Sequence, residues 1–209
     1  MRLLELFSGT GSVGDVAGAM GFEVVSLDLK DANINCDVML WDYTTYPVGY
    51  FDVVWASPPC DTFSRVRQTN IGRYGITRES LTHDMMTIGL PILRKTEEII
   101  DYFQPHLYFI ENPQTGHMKD FITRPFYDVD YCKYSDWGMR KRTRIWTNKE
   151  GFVPKLCNKD CGYIKDGRHL VCATGGNRKQ KGQGSGTSKA LRFRIPSALI
   201  EELLTAHYI

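Results

Sequence analysis

Short apolar segments alternate with helix-like segments through the first half of the chain, and this alternation constrains the fold more than any other feature. The apolar segments are Leu3–Phe7, Glu23–Leu27, Phe51–Ala56 and Leu107–Ile110. Their lengths are typical of strands, and two neighbouring parallel strands need a long crossover between them, usually a helix. We therefore predict an α/β fold, with a doubly wound, mostly parallel sheet and helices on both faces.

Helices are predicted between these strands and near the end of the chain. They cover about Ser12–Met20, about Leu81–Phe103 with a break at Pro91, and Ile195–Tyr208. A break at the proline is expected because proline lacks the N–H that an interior helix position donates. We also predict that Val129–Tyr134 and Arg144–Thr147 are a pair of strands that closes the sheet.

Residues that could bind a ligand or take part in catalysis directly follow four of the predicted strands. They are Ser8–Gly11, Asp28, Ser57–Cys60 and Glu111–Pro113. The carboxyl ends of parallel strands meet at one edge of a sheet, and ligands bind in the crevice outside that edge. The pattern therefore predicts one functional site to which four strands contribute.

The glycine turn after the first strand is a candidate cofactor site. Gly9 and Gly11 would let a ligand approach the backbone, and the next helix would offer free N–H groups. Asp28 could accept hydrogen bonds from both hydroxyls of a ribose. The alternative is that the glycines serve only the geometry of the turn.

Two further strand ends carry candidate catalytic groups. Pro58 and Pro59 restrict the turn before Cys60, so the thiol should be held stiffly, and nearby cations should lower its pKa. Glu111 could hold or donate a proton at a ring nitrogen of a substrate. The alternatives are a buried structural cysteine and a carboxylate that caps a helix.

Arginines recur at every second position in the segment RKRTRIWTN. On a strand, Arg140, Arg142 and Arg144 would point to one face, where they should bind phosphate, carboxylate or a base oxygen. The chain has a net charge of +2, but its basic residues are concentrated in three stretches without acidic residues: Arg65–Arg78, Arg140–Lys149 and Arg168–Arg194. These stretches indicate either a face that meets a polyanion or three unrelated solvated loops.

The six cysteines are too dispersed, in a chain of this size, to indicate a disulfide framework. Four residues near the C-terminal end have the ligand types of a structural zinc site. They are Cys157, Cys161, His169 and Cys172. We expect one zinc ion there, the alternative being unrelated thiols and a surface histidine.

The motifs LFSGTG, PPC followed by Ser64, ENP and RKRTRIW resemble, in this order, those of DNA cytosine-5 methyltransferases. The resemblance covers about residues 3–148, with a weaker match in RFRIPSALIEELL, and looks like a compact subgroup found in phages and mobile elements. It implies the S-adenosylmethionine-dependent methyltransferase type of sheet. It also implies methyl transfer to C5 of cytosine in DNA, as in restriction-modification.

The resemblance implies a binding site for S-adenosylmethionine. Phe7, Gly9 and Gly11 would shape the pocket, Asp28 would bind the ribose and Asp37 would reach the adenine. The other residues that the same segments bring to this site are Ser8, Thr10, Leu29, Val38, Ser57 and Pro59.

The resemblance also implies the catalytic roles. Cys60 would add to C6 of a cytosine flipped out of the duplex, Glu111 would hold N3, and Arg144 would bind O2. The remaining members of the implied catalytic set are Arg142, Asn112 and Ser64. Ser64 and the segment Arg65–Arg78 would close over the DNA as a mobile lid.

The sequence departs from the family pattern at a few positions. Asp61 and Arg140 stand where the family usually has glutamine, Glu5 replaces a common aspartate and Pro113 a common valine. The segment between the arginine motif and the C-terminal helix is also short. We divide the chain into a catalytic domain (1–148), a small recognition insert with a Gly/Lys-rich loop (149–191), and a C-terminal helix that packs back on the catalytic domain (192–209).

Duplex DNA is the expected partner, and we expect a monomer. The chain has no apolar run near the ~20 residues that span a bilayer, and no secretory signal, so we expect an intracellular protein, in a bacterial cytoplasm or a virus-infected host cell. Two alternatives remain open: the same reaction on RNA such as tRNA, and an inactive protein that binds nucleic acid.

Overall fold

A computed structural model describes residues 1–172 and 189–205, without the side chains of residues 172, 189 and 190. The strands are β1 (Arg2–Leu6), β2 (Glu23–Asp28), β3 (Ile34–Asn35), β4 (Val53–Ala56), β5 (Leu107–Pro113), β6 (Phe126–Asp130), β7 (Met139–Arg140), β8 (Arg142–Thr147), β9 (Ile164–Lys165), β10 (Arg168–His169) and β11 (Val171–Cys172). The α-helices are α1 (Ser12–Ala19), α2 (Arg78–Asp84), α3 (Leu90–Phe103), α4 (Lys189–Phe193) and α5 (Ser197–Leu204).

Seven strands form one sheet in the order β3-β2-β1-β4-β5-β8-β6. The first five are parallel to one another, β8 is antiparallel to β5, and β6 is antiparallel to β8, so that only β8 runs in the opposite direction. The predicted α/β fold with a mostly parallel sheet is confirmed. The strand order reverses between β1 and β4, because the chain winds outward from β1 in one direction and then from β4 in the other. A crevice at the carboxyl ends of these two strands is therefore the expected ligand site.

Helices cover both faces of the sheet, as predicted. On one face α1 and α5 pack over the apolar side chains of β1, β4 and β5, and the four leucine and isoleucine side chains of α5 are fully buried. On the other face α3 buries Leu93, Ile99 and Phe103 against the same strands. Burying an apolar residue of this size is worth about 1.5–3 kcal/mol, so these two layers hold the helices to the sheet.

The helical region before β5 differs from its prediction. It begins earlier, with α2, and its break lies at a π-helical turn, Met85–Gly89, upstream of Pro91. Pro91 lies in the first turn of α3, where a missing N–H is tolerated. At Gly89 a Cβ atom would lie 2.2 Å from Thr62 Oγ1, so the glycine allows the helix to contact the loop after Cys60.

The predicted elements after β5 differ less from the structure. The predicted strand Val129–Tyr134 ends at Asp130, and Tyr131–Lys133 forms a 3-10 turn instead. The predicted C-terminal helix is α5, and residues 206–209 lie outside the described residues. The predicted Gly/Lys-rich loop, residues 175–188, also lies outside the described residues. None of the helices in the described ranges is long and apolar enough to cross a membrane.

A buried carboxyl group joins β1 to α1. Glu5 is 3% exposed and accepts a hydrogen bond of 3.0 Å from the backbone N–H of Gly14. A Cβ atom on residue 14 would lie 2.7 Å from the Oε2 of Glu5, so only glycine permits this approach. Burial raises the pKa of Glu5 from 4.5 to about 7.

This raised pKa predicts a pH-dependent stability. Because the folded protein holds the Glu5 proton more tightly than the unfolded chain, the stabilisation is complete below pH 4.5 and is lost as the pH rises through about 7. At 1.36 kcal/mol per pH unit, the loss between these values is at most about 3 kcal/mol. Urea unfolding of Glu5→Gln between pH 5 and pH 8 should lack this loss, since the amide oxygen still accepts from Gly14.

The control is Glu23→Gln, because the Glu23 carboxylate lies at the surface beside Arg2. Its unfolding free energy should follow that of the unmodified protein over the whole pH range. Parallel pH curves for the unmodified protein and Glu5→Gln would contradict the prediction.

Candidate active site

The glycine turn leaves β1 in a left-handed backbone conformation. Phe7, Gly9 and Gly11 have φ angles of 61°, 51° and 68°, a region that glycine adopts without strain. The N–H of Gly9 donates to Asp28 Oδ2 at 2.8 Å, and the N–H of Leu29 donates to Asp28 Oδ1 at 2.7 Å. Two backbone amides thus fix the Asp28 carboxylate, and each oxygen keeps a lone pair for a ligand.

A cavity of about 250 Å³ adjoins this turn. Its lining includes Ser8 and Gly11 from the turn and, below them, Glu5 and Gly14. Of the other predicted cofactor residues, Leu29 is 72% exposed and Val38 is buried in the core. Val38 thus packs in the core, and its contact with a cofactor stays a prediction.

The remaining predicted cofactor residues follow the other strands of the same sheet edge. Asp37 follows β3 and accepts from the N–H of Met39 at 2.9 Å. Ser57 and Pro59 follow β4, and the N–H of Ser57 donates to the Leu6 carbonyl. Thr10 follows β1, and its hydroxyl contacts that of Ser12. The structure thus brings the carboxyl ends of four strands to one edge, although which of these residues bind the cofactor stays a prediction.

Cys60 follows β4 at the start of a 3-10 turn, Asp61–Phe63, beside the crevice where the strand order reverses. The side chain of Asn112, at the end of β5, donates to the Pro58 carbonyl at 2.9 Å and so ties the proline turn to the next strand. Cys60, Ser64 and Asn112 line a cavity of only about 30 Å³. This volume holds about a water molecule, so a base could enter only after the surrounding loop opens.

The Cys60 thiol is not activated in the free protein. Burial, followed by the charges of Asp61 and Glu111, raises its pKa from 9 to about 11, and Lys141 opposes this rise. The expected lowering of the pKa is therefore wrong. Cys60 follows β4 and Glu111 lies on the neighbouring strand β5, and the charge of Glu111 contributes to the raised pKa of the thiol. Their joint catalytic role stays a prediction.

Two groups hold the buried Glu111 carboxylate in place. The hydroxyl of Tyr131, after β6, donates to Oε1 at 2.9 Å, and Lys141 Nζ lies 3.5 Å from the same oxygen. Lys141 also lies over the Tyr131 ring and donates to the Arg192 carbonyl at 3.2 Å. Sequence reasoning missed Lys141, although strand alternation places it on the face opposite to its arginine neighbours.

The arginines of β8 lie on the other face of the sheet. Glu111 pairs with Ile145 and Asn112 with Arg144 across the β5–β8 ladder, so Glu111 and Arg144 point in opposite directions. The guanidinium of Arg144 makes two bonds to Asp128, at 2.8 and 2.9 Å. The role of Arg144 at a base stays a prediction, and it would require the ion pair between Arg144 and Asp128 to open.

The predicted lid is anchored at several points. Ser64 accepts from the N–H of Val66 and starts a 3-10 helix, Arg65–Asn70. The guanidinium of Arg67 pairs with Asp84 of α2 at 2.7 Å. An opening of this lid must therefore break that ion pair.

A second side-chain cluster lies beyond the far edge of the sheet. Three of the predicted zinc ligands, Cys157, Cys161 and His169, converge there with Cys132, and their ligand atoms all lie within 4.8 Å of one another. Cys132 was not among the predicted ligands. The side chain of Cys172 lies outside what the structure describes.

Comparison with known proteins gave one relative over almost the full length. The chain is 50% identical over 215 aligned positions to a protein of Frog virus 3 (isolate Goorha) named "Probable DNA (cytosine-5)-methyltransferase", covering 98% of this chain and 99% of the viral protein. No family model matches the chain.

A similar solved structure is described as a DNA modification methyltransferase encoded within a prophage of E. coli. It matches with a TM-score of 0.50 at 15% identity, covering 76% of this chain and 52% of that one. This chain thus spans about half the length of the prophage protein, and the likeness shows the fold alone.

The charge of Asp61 gives a test of the Cys60 environment. Removing that charge in Asp61→Asn lowers the pKa of Cys60, so more thiolate is present at pH 8. For a screened charge near the surface we expect alkylation of Cys60 by iodoacetamide to become about threefold faster. The rate is read from the Cys60 peptide by mass spectrometry, with the exposed Asp136→Asn as the control variant. An unchanged or slower rate in Asp61→Asn would overturn this account.

Proposed function

Because the chain belongs to the DNA (cytosine-5)-methyltransferase family, we propose that it transfers a methyl group from S-adenosylmethionine to C5 of a cytosine flipped out of DNA, through a covalent bond between Cys60 and C6. The observation that carries this proposal is the juxtaposition of Cys60 and Glu111 at the edge of the sheet that also holds the glycine turn. A nucleic-acid-binding protein without turnover has no need of a stiffly held thiol beside a buried carboxylate.

The residues around the glycine turn fit the cofactor. The Asp28 carboxylate is fixed by two amides and can still accept from the two hydroxyls of a ribose. The adjoining cavity and the positive φ angles of the turn leave room for a ligand against the backbone. When bound there, S-adenosylmethionine supplies the methyl group for C5.

Cys60 starts the reaction as the nucleophile. As the S–C6 bond forms, the thiol proton passes to the Glu111 carboxylate, and the electron pair displaced from the C5–C6 bond moves toward N3, which takes that proton from Glu111. C5 then has the character of an enamine carbon and attacks the methyl group, whose bond to the cofactor sulfur breaks with the electron pair left on that sulfur. The C5 proton is then lost to solvent, the C5–C6 double bond forms again as the C6–S bond breaks to release Cys60, and N3 gives its proton back to Glu111.

Lys141 is the positioning residue for this step. Its ammonium group lies against Glu111 at 3.5 Å, its side chain is 11% exposed, and its charge favours the Cys60 thiolate. A buried cation that faces both groups stabilises negative charge as it moves from sulfur to the ring. Arg144, in contrast, is paired with Asp128 on the opposite face.

Cys60→Ala is expected to abolish methylation of duplex DNA while binding of S-adenosylmethionine persists, because the thiol contacts the base only. The readouts are methyl transfer to DNA and calorimetric titration with the cofactor. In the unmodified protein, DNA that contains 5-fluorocytosine should form a covalent complex, since fluorine cannot leave C5 as a proton does. Normal turnover by Cys60→Ala would overturn the covalent mechanism. Methylation of tRNA but not of duplex DNA would overturn the assignment of DNA as the substrate.

Lys141→Met is expected to lower kcat about tenfold or more, with a smaller effect on KM for DNA. It should also slow alkylation of Cys60 at pH 8, because the cation that favours the thiolate is gone. A purely structural role would not change that alkylation rate in a variant with unaltered thermal unfolding. Lys141→Arg should keep most of the kcat and most of the alkylation rate of the unmodified protein. Full kcat and unchanged alkylation in Lys141→Met would contradict the positioning role.

A further inference from the structure

The recognition insert is joined to the sheet by a cluster of three thiols and one imidazole. Cys132 belongs to the 3-10 turn Tyr131–Lys133 after β6, Cys157 and Cys161 lie in the loop before β9, and His169 ends β10. We propose that these four residues bind one structural zinc ion. Cys132 takes the place that the sequence suggested for Cys172.

The distances within the cluster fit a metal site. His169 Nε2 lies 3.3 Å from Cys132 Sγ and 3.5 Å from Cys157 Sγ. Tetrahedral zinc, with bonds of about 2.3 Å to sulfur and 2.0–2.1 Å to nitrogen, holds its nitrogen and sulfur ligands about 3.6 Å apart and two sulfurs about 3.8 Å apart. All four ligand atoms lie within 4.8 Å of one another, so the metal would draw the ligands together by about 1 Å at most.

The ligand types select zinc and a structural role. Thiolate and imidazole ligands in a tetrahedral set favour zinc over the hard cations that carboxylates bind. Four protein ligands fill the coordination sphere and leave no position for a substrate or water. This separates the cluster from the active site, whose proposed chemistry does not use it.

The described part of the insert that follows Phe152 has no buried core. No side chain of residues 153–171 is fully buried, and the only regular structure in residues 153–172 is the hairpin of β9 and β10, with two residues in each strand, and the short strand β11. The ion pair between Lys133 and Asp160, at 3.1 Å, adds little to the stability of the insert, because such pairs near the surface are worth little free energy. A segment of this kind becomes ordered only when a cross-link or a metal holds it, and zinc binding would provide the free energy for that ordering.

The primary experiment measures zinc in the full-length protein. Protein purified without chelators should contain about one zinc per chain by plasma mass spectrometry. Cobalt substituted for zinc should give the intense visible bands of a tetrahedral site and thiolate-to-cobalt charge transfer. Less than one-tenth of a zinc per chain would overturn the proposal, as would a native mass lower by two hydrogens, which indicates a disulfide.

Variants identify the ligands. Cys132→Ser and Cys161→Ser should each lower the zinc content at least fivefold, whereas Cys172→Ser and the control Cys36→Ser should retain it. Loss of zinc in Cys172→Ser with retention in Cys132→Ser would overturn this ligand set. Cys161 is only half-buried, so its variant tests the site even where the buried Cys132→Ser fails to fold.

Chelation of the unmodified protein gives a reading that needs no variant. Removing zinc should make the insert accessible to trypsin, with cleavage after Lys159, Lys165 or Arg168 at least tenfold faster than in the loaded protein. Re-addition of zinc should restore protection. Equal cleavage rates with and without chelator would mean that no metal holds the insert, contrary to the proposal.

Discussion

The buried carboxylate of Glu111 is the constraint around which this half of the molecule is arranged. A carboxylate that is 7% exposed is costly unless donors surround it, and its donors come from two different segments. Tyr131 reaches it from the turn after β6, and Lys141 from the residue before β8. The two antiparallel strands at the sheet edge are thus more than a closing element, because they carry the groups that fix Glu111 beside Cys60.

The electrostatics around Cys60 constrain when the thiolate can form. With a pKa of about 11, forming the thiolate at pH 7.5 costs about 5 kcal/mol in the free protein. The charges of Asp61 and Glu111 already account for part of this cost, and DNA phosphates would add to it. In the proposed mechanism, loss of the thiol proton is therefore coupled to formation of the S–C6 bond, when the charge moves away from sulfur and toward N3. A protonated thiol also protects Cys60 from alkylation and oxidation while no base is bound.

The sequence predicted the strand ends well, because apolar runs that stop at glycine, aspartate or proline carry their own boundaries. It could not predict Lys141, since the relevant fact is the register of β8 against β5, which turns Lys141 toward Glu111 and Arg144 away. Cys132 was missed for a similar reason: it lies 25 residues before Cys157 and joins the cluster only through the packing of the insert. The pKa of Cys60 was predicted in the wrong direction because burial cannot be read from neighbouring residues.

The same packing links the cluster of cysteines and histidine to β8. Asp130 accepts two bonds from Arg142, at 3.0 and 2.6 Å, and one from the N–H of Cys157 at 2.8 Å. Its carboxylate therefore joins β6, β8 and the insert at one point. Tyr131 and Cys132 follow it directly, so a single turn supplies a donor to Glu111 and a thiol to the proposed zinc site. The proposed zinc site and the position of the Glu111 carboxylate therefore both depend on the conformation of residues 130–132.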